Sequence, residues 1–80
     1  MTEVEIDRAL NALSATLNDQ RPENPGVERL QEIVDGATGG ERVFGVRAVA
    51  ASRFELHGLE DGELVAVVER DGADHWTVGR

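Results

Sequence analysis

Few residues of this chain carry side chains suited to chemistry, and their spacing narrows what they could do. His57 stands two residues from Glu55, the alternation of a strand face, where a general acid–base pair is conceivable. Asp71, Asp74 and His75 lie close together, and His57 could join them across strands as a mixed oxygen and nitrogen set for a divalent ion. That spacing fits no metal signature, and Asp71-Gly72-Ala73-Asp74 reads more simply as a hairpin turn. Nucleophiles are scarce. There is no Cys, Lys or Tyr, and Ser14 and Ser52 are the only serines, neither with a histidine beside it in sequence. Gly36, Gly39 and Gly40 lack the Lys and the preceding strand of a phosphate loop. The residues call for no catalysis, no metal and no cofactor.

Arg42, Arg47 and Arg53 form the one basic island, with no acidic residue between Arg42 and Phe54. Arginine suits bidentate contact with phosphate or carboxylate, so a nucleic acid or an acidic partner could dock there. The plainer reading pairs these arginines with Glu41, Glu55 or Glu69 across a sheet. Nucleic acid is the less favoured partner, since no aromatic platform accompanies them and Phe44 and Phe54 read as core.

The elements that position these residues follow from periodicity. Thr2 and Glu5 form a capping box, with Met1 and Ile6 placed as a hydrophobic staple. Ile6, Leu10, Leu13 and Leu17 draw one apolar stripe, predicting a helix over about 3–19 that Pro22 bars from continuing. Asn24 as N-cap and Pro25 at the first turn predict a second helix over about 25–36, with Gly36 as its C-cap. β-branched and alternating runs predict strands near 42–50, 53–59, 63–70 and 74–79, joined by turns at Asp61-Gly62 and Asp71-Gly72. The expected fold class is α+β: two N-terminal helices on one face of a three- to four-stranded antiparallel sheet. Residues 43–52 also fit helical spacing through Val43, Val46, Ala50 and Phe54, which would give the layout of a winged helix. Gly45 and the valines favour strand.

Composition sets the frame. The 80 residues read as a single domain, 1–80. Ile, Leu, Val and Phe number 21, above the roughly 20 % floor for folding in a charged chain. Sixteen acidic residues against eight arginines give a formal charge of −8. This resembles the composition of proteins from halophilic, salt-adapted organisms, whose acidic surfaces stay soluble where salt screens self-repulsion. The acidic start and the lack of a long apolar run point away from a signal peptide or a membrane span, and towards the cytoplasm. Two short helices cover one sheet face only. An apolar second face built from Val65 and Val67, with Val43 and Val49, is therefore the expected interface with a second copy or another protein.

Overall fold

The computed structural model describes residues 2–72 and 74–80. The chain runs α1 (Glu3–Gln20), α2 (Val27–Ala37), β1 (Phe44–Ala50), β2 (Arg53–Gly58), β3 (Leu64–Arg70) and β4 (Trp76–Gly79). The strands form one antiparallel meander in the order β1-β2-β3-β4. The helices pack against each other on one face, α1 over β4 and α2 over β1. The α+β expectation holds, with the fourth strand present.

The first helix begins as its sequence predicts. Thr2 Oγ1 accepts the Glu5 N–H at 3.2 Å, while the Glu5 carboxylate reaches back to Thr2. Met1, the partner proposed for Ile6 in a staple, lies outside the described residues. The helix ends at Arg21, whose backbone is left-handed and whose N–H bonds to Leu17 C=O.

The second helix departs from its predicted caps. Asn24 is itself left-handed, at φ 44°, so it turns the chain and cannot cap it. Gly26 is the N-cap and donates no side chain, and the helix runs past Gly36 to Ala37, with Thr38 as C-cap. Just beyond it, Gly39 and Gly40 take positive φ as the hinge that follows the helix. At Asp71-Gly72 the left-handed residue is Asp74, at φ 62°, and Gly72 is not.

Residues 44–50 are strand, so the three-helix layout is absent. Alternation decides it: Phe44 is buried and Val46 packs against the core, while Arg47, next after Val46, is exposed. The core joins Leu10, Leu13 and Leu17 of α1, Leu30, Ile33 and Val34 of α2, and Phe44, Phe54, Leu56, Ala66, Val68 and Trp76 of the sheet. Trp76 and Phe54 sit with ring centroids 6.4 Å apart. Val49 and Val65 are each the extra residue at a register shift, one at each end of β2.

Both edges of the sheet are met by a carboxamide from a helix. On β4, Asn18 of α1 donates to Trp76 C=O at 3.0 Å and accepts Trp76 N–H at 2.9 Å. On β1, Gln31 of α2 donates to Phe44 C=O at 2.8 Å and accepts Val46 N–H at 3.0 Å. Each amide thus does what a neighbouring strand would do for the outward-facing backbone.

Candidate functional site

A depression of about 450 Å³ opens where the start of α1 meets the β2–β3 connection. Its apolar lining comes from Ile6, Val43, Leu59, Leu64 and Val65. Leu59 and Leu64 are each 54 % exposed. The wall is a firm turn. Gly58 N–H bonds to Glu63 C=O and Gly62 N–H to Gly58 C=O, and Asp61 Oδ1 accepts Glu63 N–H at 3.0 Å. Gly62 has φ +71°, which favours glycine, and a Cβ on Gly58 would fall 2.8 Å from Asp61 Oδ1, so a side chain there would displace the carboxylate that holds the turn.

The rim is charged. Glu3, Glu60, Asp61 and Glu63 line it together with Arg42 and Arg80. Arg80 donates to Glu3 Oε2 at 2.7 Å and Asp7 Oδ1 at 3.0 Å, tying the residue after β4 to the first turns of α1. This hydrogen bond and the guanidinium charge hold the Glu3 carboxyl below its ordinary value, and the two carboxylates raise Arg80. Arg42 places Nε and Nη2 on Asp35 Oδ2, and Asp35 Oδ1 accepts from Gln31 Nε2 at 2.9 Å. Arg42 therefore acts through Asp35 to orient the amide that caps β1.

The four valines expected on one sheet face are not brought together. Val43 and Val65 line the depression and pack against the helix-side core, because the register shift at Val65 turns it out of simple alternation. Val67 sits on the outer face between Glu55 and Gly79, half-buried. Val49, 52 % exposed, lies at the far end of β1. Around Val67 the outer face carries Arg47, Arg53, Glu55, His57, Glu69 and Thr77, so it is mostly polar.

The basic island divides in the same way. Arg42 is engaged with Asp35, while Arg47 and Arg53 stand on the outer face opposite Glu55 and Glu69. Neither forms an ion pair among the described residues. Glu55 turns instead to His57 Nε2 at 3.0 Å, and His57 Nδ1 lies 3.1 Å from Gly62 C=O. The pair that sequence spacing suggested is thus formed, but neither residue lines the depression. His75 N–H bonds to Asp71 Oδ1, and His57 is elsewhere, so no three metal-ligating side chains converge among the described residues.

Sequence reasoning missed Leu59, Leu64, Asn18 and Gln31. Leu59 and Leu64 flank the Asp61-Gly62 turn, and a pair of leucines bracketing an acidic turn was a usable signal. The two amides gave none, because a helix-surface Asn or Gln looks like any solvated residue until the strand beside it is known. Among the described residues, no helix is long and apolar enough to cross a membrane. Compared with known proteins, the chain matches no family model, no curated protein and no solved structure.

Proposed function

We propose that this chain works by protein–protein contact as a homodimer, in the cytoplasm of a salt-adapted organism, and carries out no catalysis. The observation that carries the reading is the depression itself. Five apolar side chains gather at one opening, two of them more than half exposed, in a protein whose outer sheet face is mostly polar. The contact centres on Val43 and Val65 together with Leu59 and Leu64; Val49 and Val67 lie away from it.

A second copy seated on this opening brings Glu60, Asp61 and Glu63 of both chains near one another. At low ionic strength these carboxylates repel, while at high salt the Debye length falls to about 3 Å and apolar burial is favoured. Salt-promoted self-association ties the surface charge of −8 to the same purpose. The arrangement calls for no cofactor.

Sedimentation equilibrium across salt concentration tests this. The dimer is expected to strengthen between about 0.15 M and 2 M salt. Leu59→Glu with Leu64→Glu is expected to leave a folded monomer at both. A wild-type chain that remains monomeric in concentrated solution at high salt overturns the reading. For nucleic acid, the helix needed at 43–52 is β1, which leaves Arg47 and Arg53 as the exposed contacts.

A further inference from the structure

On β1 the carboxamide cap leaves part of the sheet edge open. Val46 N–H points away from β2, to Gln31, so alternation also turns Val46 C=O, Ala48 N–H and Ala48 C=O outward. None of these three groups meets a side chain or backbone partner among the described residues. From Arg47 to Ala51 every residue is exposed, and Ala48, Val49, Ala50 and Ala51 present small uncharged side chains. No Lys, Pro or acidic residue guards this stretch, and the bulge at Val49 limits the open pairing groups to Val46 and Ala48.

Beside it stand Arg47 and Arg53, diagonal neighbours on the outer face and free of ion pairs among the described residues. In a chain with twice as many acidic as basic residues, two guanidiniums that form no ion pair with the Glu55 and Glu69 across the ladder are a matched set with an open backbone edge beside them. We propose that the open half of the β1 edge takes an extended acidic segment of a partner protein as a fifth strand. Its backbone pairs with Val46 C=O and with both groups of Ala48. Alternate side chains of the incoming strand fall on the outer face, where carboxylates meet Arg47 and Arg53; the others fall beside Val46 and Ala48, where small apolar groups fit. The Gln31 cap sets where pairing stops. This surface is separate from the depression, so it goes beyond the dimer reading.

The probe is a fluorescent peptide of alternating Glu and Val, about eight residues long, followed by anisotropy and by amide NMR shifts. Binding is expected at about 0.15 M salt, weakened about tenfold or more by Arg47→Ala with Arg53→Ala, and lost in Ala48→Pro. Ala48→Pro removes an N–H that the fold does not use, and far-UV circular dichroism checks that it stays folded. Gln31→Ala lengthens the open edge and is expected to tighten binding. A dimer-breaking Leu59→Glu, Leu64→Glu chain is expected to bind the peptide unchanged, which separates this proposal from the previous one. Four outcomes overturn it: no binding at millimolar peptide; equal binding of the peptide N-methylated at alternate amides; equal binding of a Lys–Val peptide; or displacement by a single-stranded oligonucleotide that itself shifts Arg47 and Arg53 without protecting Ala48, which would mark a nucleic-acid surface.

Discussion

The two edges of the sheet meet solvent differently. β4 is four residues long, and its outward-facing Trp76 is satisfied on both N–H and C=O by Asn18. Val78, whose backbone alternation also turns outward, meets no cap among the described residues, but its side chain packs against the core and Arg80 beyond it is tied to α1. β1 is seven residues long, and Gln31 reaches only its first half. From Ala48 onward every residue of the strand is exposed. A helix-borne amide can end a sheet as a strand would, and where the helix stops short the edge stays available.

Breaking the Asn18 cap carries the largest expected effect. Asn18→Ala leaves Trp76 N–H and C=O without partners beside a fully buried ring, and thermal unfolding should show a loss of about 1–3 kcal/mol. Gln31→Ala at the half-closed edge should cost less, about 1 kcal/mol, since Val46 is only half-buried where Trp76 is fully buried. Arg42→Ala sharpens the same point: it removes the charge that fixes Asp35 and hence the Gln31 amide, so exchange of the Val46 amide should quicken with little change in melting temperature. At the open edge, Ala48→Pro should change stability by less than about 1 kcal/mol, because its N–H serves no bond within the fold.

The smallest effect belongs to the Arg80 tie that fences β4. Because Glu3 is depressed in the folded chain, its contribution is present above the unfolded carboxyl value and fades as pH falls through the folded one. Arg80→Ala should move the Glu3 titration, followed by carboxyl-carbon NMR, upward to the ordinary range. An unmoved titration would show that the tie does not hold in solution.

Much of the frame was legible because it rests on periodicity and turn chemistry. The α1 stripe, the Thr2–Glu5 box and the alternation of Phe54 and Leu56 depend on nearest neighbours along the chain. The cap of α2 was misread because Asn24 can serve as either an N-cap or a left-handed turn residue, and the local sequence favours both. The contact surface was harder still. One register shift moves Val65 from the outer face to the depression, and the sequence carries no sign of a bulge. Likewise Arg47 and Arg53 have carboxylates directly across the ladder, and only the structure shows Glu55 turned to His57.

Native-state hydrogen exchange at three amides tests the contrast between the edges most directly. In the free chain, Val46 and Trp76 N–H should be protected by Gln31 and Asn18, while Ala48 N–H, two residues from Val46 on the same strand, should exchange at close to its unfolded rate. Protection of Ala48 equal to that of Val46 in the monomer would contradict the open edge and everything argued from it.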